Sequence, residues 1–163
     1  MSAALAMAMS QAFGLGLLLL ALVTYMQEDW RLFRAALALG VNFALVWVFT
    51  IWSGWFDAWL FFLPLDAMTA WAILRPPHGM TQAMIGALLL SQCAIHVGYA
   101  ILDNRMVAGD YLDLLSAVGW VQLATLAGGA GYERGKQIVV RWVALGNRSM
   151  ASAPYSAIMG EPK

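Results

Sequence analysis

Five long apolar stretches, each closed by charges or helix breakers, leave this chain few folds to adopt. A helix that crosses a bilayer needs about 20 mostly apolar residues. The first stretch runs from Ala3 to Tyr25 and ends at Gln27-Glu28-Asp29, with Arg31 and Arg34 just beyond. The second, Ala35 to Trp52, is followed by Ser53-Gly54. The third, Phe56 to Leu74, stops at Arg75-Pro76-Pro77. The fourth, Ala83 to Leu102, stops at Asp103-Asn104-Arg105, and the fifth, Leu112 to Gly131, at Glu133-Arg134-Gly135-Lys136. The expected fold class is therefore all-α: an integral membrane helical bundle of about five transmembrane helices. Composition agrees. The hydrophobic fraction is 62% and the charged fraction 11%, against about 45–50% and about 25% in soluble domains. A soluble globule of 163 residues has too little interior to hide that much apolar surface, so lipid must serve as solvent.

The first stretch has no Lys or Arg before Arg31, and it exceeds the h-region of about 7–15 residues in a signal peptide. It is expected to be a retained helix. Basic residues concentrate on the cytoplasmic side of membrane proteins. With five spans, one side receives Arg31, Arg34, Arg75, Arg134, Lys136, Arg141, Arg148 and Lys163, and the other receives Arg105 alone. This split predicts an N-terminus outside and a C-terminus inside, in a multi-pass membrane protein. Indole rings favour the headgroup level. Trp52, Trp55 and Trp59 are expected at the outer boundary, and Trp30, Trp71 and Trp142 at the inner one, with Trp47 and Trp120 filling helix interfaces. The segment 137–146 is too short to cross and reads as an interfacial helix. Residues 1–146 then form one bundle domain, and 147–163, rich in Ser, Ala, Pro and Gly, a loosely ordered cytoplasmic tail. No internal or inverted repeat is visible.

Several function classes are disfavoured. The formal net charge is zero, so no basic field invites nucleic acid. A single cysteine, Cys93, excludes an internal disulfide, a CxxC pair and a cysteine-rich zinc site. The two histidines, His78 and His96, lie in different environments, and no metal or other cofactor is expected. The chain contains no phosphate loop, HExxH or GxSxG motif, so it does not read as an enzyme and no catalytic residue is assigned.

Polar side chains within apolar stretches carry the remaining information. Asp66 falls near the middle of the third stretch, where a charged Asp costs about 2.5–3.5 kcal/mol on insertion scales. Pro64 precedes it by two residues, and Thr69 follows one turn later. In the fourth stretch Gln92, His96, Tyr99 and Asp103 have the spacing i, i+4, i+7, i+11, one stripe of a helix. At about 1.5 Å per residue, His96 lies about 9 Å and Asp66 about 14 Å below the outer boundary. The short 75–82 loop makes the two helices neighbours, so Asp66 and His96 are expected to form one coupled interior site. Two uses are open for the set Asp66, Thr69, Gln92, His96, Tyr99, Asp103 and Asp113: a polar cavity open to the outside, or hydrogen bonds that fix helix packing. Asn42, Gln11, Gln122 and Thr125 contribute less. Small residues recur every fourth position, as in Ala6-x3-Ser10-x3-Gly14, Ala36-x3-Gly40-x3-Ala44, Ala124-x3-Gly128 and Ala127-x3-Gly131. Such ridges let helices approach closely, and Ala6, Ser10, Gly14, Gly40, Gly128 and Gly131 are the expected packing positions, within the bundle or against another subunit.

The stretch from Leu63 to Gly86, LPLDAMTAWAILRPPHGMTQAMIG, resembles small multi-span membrane proteins encoded in bacterial and prophage genomes. The stretch from Asp110 to Gln122, DYLDLLSAVGWVQ, adds to this. The resemblance covers about a third of the chain and implies a bacterial or phage setting, with no activity attached. The outside N-terminus, basic inside C-terminus and small size are also similar to phage holins. The expected function is assembly within the membrane, as a holin-like pore or a subunit of a membrane complex. The partners would be the lipid bilayer and either further copies of the chain (a homo-oligomer) or other membrane subunits. The alternative is a small channel or carrier using the polar cavity around Asp66 and His96.

Overall fold

The computed structural model describes residues 3–53, 58–102 and 108–151, and the side chains of 8–50, 60–102 and 110–144. Among the described residues all regular structure is α-helical, in five helices: α1 (Ala3–Met26), α2 (Trp30–Ser53), α3 (Ala58–Leu74), α4 (Met80–Ile101) and α5 (Ala108–Ala151). Four are long and apolar enough to cross a membrane, while the apolar helix within α3, Leu60–Leu74, is shorter.

The helix boundaries differ from the sequence expectation in informative places. Arg31 and Arg34 do not form a loop but lie in the first turns of α2. The α1–α2 turn is only residues 27–29, and hydrogen bonding explains why. Glu28, at φ 58°, takes the left-handed position that ends α1. Its N–H donates to the Tyr25 carbonyl, and the Asp29 N–H donates to the Thr24 carbonyl, at 3.0 and 3.1 Å. These two bonds form the Schellman pattern that satisfies terminal carbonyls. Asp29 Oδ1 then accepts the N–H groups of Arg31 and Leu32 at 3.2 and 3.1 Å, which caps α2.

The second difference concerns α5. The charged cluster at 133–136 was expected to close the fifth span ahead of a separate interfacial helix over 137–146, and α5 instead runs unbroken through both to Ala151. Glu, Arg and Lys are good helix formers, so charge marks a solvent boundary without ending the helix. Residues 147–151, expected to be loosely ordered, are helical, and 152–163 lie outside the described residues. The chain divides into two units, Met1–Ala130 and Gly131–Lys163. In the second unit the described side chains are exposed apart from the half-buried Glu133.

The first unit holds the core. Leu17 of α1, Leu32, Ala35, Ala36 and Leu39 of α2, Ala70 and Ile73 of α3, Ile85 and Leu89 of α4, and Leu126 and Ala130 of α5 pack together. The segment between α3 and α4 is tied down by Arg34, whose Nη2 donates to the carbonyls of Arg75 (2.7 Å) and Pro77 (3.1 Å). Gly79 N–H donates to Gln82 Oε1 at 2.6 Å, a reach-back that satisfies a donor at the start of α4. Trp30 and Trp71 lie exposed at this arginine-bearing end, and the Arg75 guanidinium sits 5.5 Å from the Trp71 ring centroid.

Close helix approach occurs at glycines other than most of those expected. A Cβ on Gly86 would sit 2.5 Å from Leu74, and one on Gly129 2.5 Å from Thr81. Gly14 does meet a neighbour, Phe43 of α2, at 3.0 Å, whereas Gly40, Gly128 and Gly131 face open space. A four-residue spacing identifies a helix face without saying whether that face meets a neighbour. The side chain of Ala6 lies outside the described residues, as do those of Trp52, Trp55 and Trp59. Trp120 packs edge-on against Phe13 at 5.6 Å. Trp47, expected to fill an interface, is 50% exposed.

Candidate functional site

Midway along α3, Asp66 is placed where hydrocarbon would surround it unless neighbours supplied polar groups. Three helices supply them. From α2, Asn42 Nδ2 donates to Asp66 Oδ1 at 2.8 Å and to Thr69 Oγ1 at 3.1 Å. Thr69, one turn beyond Asp66 on the same face of α3, passes its own hydrogen to the Leu65 carbonyl at 2.8 Å. From α4, His96 Nε2 lies 3.0 Å from Asp66 Oδ2. From α5, the Tyr111 hydroxyl lies 2.6 Å from His96 Nδ1. Asp66, His96 and Tyr111 are 6%, 0% and 4% exposed, so the chain of bonds from Asn42 to Tyr111 is dry.

Aromatic rings wall this relay. The Phe62 and His96 ring centroids are 6.1 Å apart, and Tyr99 stacks on Tyr111 at 4.2 Å. One turn closer to the arginine-bearing end, a second polar contact joins α4 to α5: Gln122 Nε2 donates to Gln92 Oε1 at 2.8 Å. Cys93 is half-buried, with its Sγ 3.8 Å from the Leu63 carbonyl.

The proton positions follow from what each group can do. An ionised carboxylate only accepts hydrogen bonds, and a neutral imidazole donates from one nitrogen and accepts at the other. With Asp66 ionised, His96 carries its hydrogen on Nε2 and accepts the Tyr111 O–H at Nδ1. Each carboxylate oxygen then has one donor.

The seven expected site residues separate into groups. Asp66, Thr69 and His96 belong to one network. Gln92 pairs instead with Gln122, and Tyr99 serves as a stacking partner for Tyr111. Asp113 is exposed and takes no part, and Asp103 lies outside the described residues. The geometry around Asp66 and His96 consists of hydrogen bonds between helices, one of the two uses left open for this set. Tyr111 has no place in the sequence reading, and Asn42, a minor contributor there, holds Asp66 alongside His96. Tyr111 precedes Leu112, the expected start of the fifth span, and α5 begins one turn earlier, at Ala108.

A second feature lies on the surface of α1 and α2. Ser10, Gln11, Gly14, Leu15, Phe43 and Trp47 line an open, mainly apolar groove of about 440 Å³. Gln11 is exposed and makes no hydrogen bond among the described residues. Leu15, Leu18, Leu19 and Leu22 of the same helix are also exposed, each by more than half.

No protein-family model matches the chain, and no curated protein or solved structure matches it significantly.

Proposed function

We propose that the chain is a five-span protein of the bacterial inner membrane, N-terminus outside and C-terminus inside, that acts without catalysis by assembling with further copies of itself. The assembly is a holin-like pore or a membrane complex. The observation that carries this reading is Gln11. It lies about 22 Å along α1 from Met26, so under the proposed topology it faces hydrocarbon. Lipid tails offer an amide neither donor nor acceptor, and a carboxamide there seeks another helix. A second Gln11 is a matching partner, because each amide both donates and accepts. Ser10 beside it is small enough to let two backbones approach. The buried Asp66–His96 network, by contrast, already pairs its polar groups with one another.

The test is native mass in mild detergent and in nanodiscs. The wild type is expected to contain more than one copy, Gln11→Leu to dissociate, and Gln11→Asn to remain assembled. Induced expression should compromise the membrane if the assembly is a pore. A strictly monomeric wild type with no effect on membrane integrity would overturn the reading. The alternative, a small channel or carrier, draws support only from the ionisable character of the Asp66–His96 pair.

A further inference from the structure

We infer that the Asp66–His96–Tyr111 relay is a proton-binding site, loaded from the end of the bundle where α4 finishes and α5 begins. The argument starts from charge. The titratable groups around the site are Asp66 of α3, Cys93, His96 and Tyr99 of α4, and Tyr111 of α5, while α2 contributes only the uncharged Asn42. Among the described residues the only partner that pairs ionically with Asp66 is His96. With a carboxylate, a neutral imidazole and a phenol, the relay carries one net negative charge in a dry interior. Burying an uncompensated charge is costly, and such groups neutralise. One added proton brings the site to neutrality.

Hydrogen-bond directions define where that proton goes. In the unloaded state Tyr111 O–H donates to His96 Nδ1. An incoming proton binds the Tyr111 oxygen while the original phenol hydrogen passes to Nδ1. Nδ1–H then donates back to Tyr111, whose new O–H points away from the ring. The phenol stays neutral throughout. The added charge is balanced by Asp66 across the 3.0 Å contact, whichever atom of that contact holds the shared hydrogen. Loading thus reverses one hydrogen bond and leaves Asn42–Asp66 in place.

The direction of access follows from the packing. Tyr111 is the fourth residue of α5, about one turn from the helix start, next to the exposed Asp110. On the opposite side of Asp66 lie Ala70 and Ile73 of α3 with Ile85 and Leu89 of α4, all buried and apolar. The polar groups on this side, Asn42, Thr69 and the Gln92–Gln122 pair, are amides and a hydroxyl bonded to partners of their own, and neither α3 nor α4 carries a carboxylate, imidazole or phenol between the relay and the arginine-bearing end.

The chain has two histidines, and His78 is exposed in the α3–α4 loop, so His78→Gln leaves His96 as the sole imidazole. Nitrogen NMR of the histidine-labelled variant in lipid bilayers would read Nδ1 directly, from about pH 4 to about pH 10, between ordinary Asp and Tyr values. Nδ1 is expected to change from bare to protonated on acidification. In sealed vesicles the change should follow the bath when the Tyr111 end faces it, and not in the inverted orientation. Asp66→Asn should abolish loading. Tyr111→Phe, which keeps the ring and its packing, should remove the strong hydrogen-bond signature at Nδ1 and slow loading, and it decides the matter if Asp66→Asn fails to fold. A single unchanged Nδ1 state across the range would overturn the proposal. Equal loading from both sides, or an Nδ1 signal indifferent to Tyr111→Phe, would do the same.

Discussion

His96 Nε2 stands 3.0 Å from Asp66 Oδ2, across a separation of 30 residues, and both side chains are buried. The contact fixes α3 against α4 at one register, since a slide of one turn would carry either group past its partner. Removing one member of a buried pair strands the other, at a cost of about 3–5 kcal/mol. Asp66→Asn and His96→Leu should each lower resistance to unfolding in micelles. The double variant should lose less than their sum, by about 0.5–3 kcal/mol. Strictly additive losses would mean that the two side chains do not share an interaction.

The glycines of the bundle separate into crowded and open positions, and alanine scanning should report this by sign. At Gly86 a methyl would press on Leu74 Cγ and Cδ2, both 2.5 Å away. Overpacking of this kind costs about 1–3 kcal/mol, and Gly86→Ala should be partly rescued by Leu74→Ala. At Gly40 no atom lies within 4 Å of the added methyl. Gly40→Ala should therefore stabilise α2 by up to about 1 kcal/mol through helix propensity. Destabilisation at Gly40 would indicate that its open face is covered in the membrane, which would itself locate a subunit contact.

The three-residue turn between α1 and α2 makes opposite demands on adjacent positions. Glu28 holds a left-handed conformation, which costs a non-glycine residue about 1–2 kcal/mol. Glu28→Gly should raise stability by somewhat less than that, because glycine also loosens the unfolded chain. Asp29 accepts two helix-initiating N–H groups, and Asp29→Ala should cost about 1 kcal/mol. Thermal unfolding of the two single variants would check both signs. Hydrogen exchange at Arg31 and Leu32 should quicken only in the Asp29 variant.

The sequence made the helices legible because long apolar runs allow little else in lipid, and it made Asp66 and His96 legible because ionisable groups are rare there. The helix ends were harder to read. Arg31, Arg34, Glu133 and Arg134 mark the ends of apolar stretches, yet all four lie within helices. Tyr111 escapes the reading because the fifth apolar stretch begins at Leu112, whereas α5 begins at Ala108. Asn42 was visible as a mid-span polar residue, but nothing local to it names Asp66 as its partner. Such pairing depends on how α2 is rotated against α3, and periodicity alone leaves that rotation open. The small-residue ridges leave the same rotation open: Gly14, Gly86 and Gly129 face close neighbours within the bundle, while Gly40 and Gly128 do not.

Topology is the prediction on which the direction of proton access depends, and α3 is its weakest support. Its 17 residues extend about 25 Å, against a hydrocarbon layer of about 30 Å, and Pro64 removes one backbone donor near its centre. Two arguments favour a full crossing. The α3 face bearing Phe62, Asp66, Ala70 and Ile73 is buried over three turns, which a shallow re-entrant segment would not achieve. The basic residues also divide eight to one only if α3 crosses; a four-span chain would leave Arg31, Arg34 and Arg105 on one side and Arg75 with the five C-terminal basic residues on the other, where both termini would also lie. Single cysteines at Ser2 and at Tyr155, in a Cys93→Ser background, distinguish the cases. Membrane-impermeant labelling of intact cells should reach position 2 and leave position 155 unlabelled until the membrane is opened. Labelling of both from one side would remove α3 from the count of spans, and the outward opening of the Tyr111 end would have to be reassigned with it.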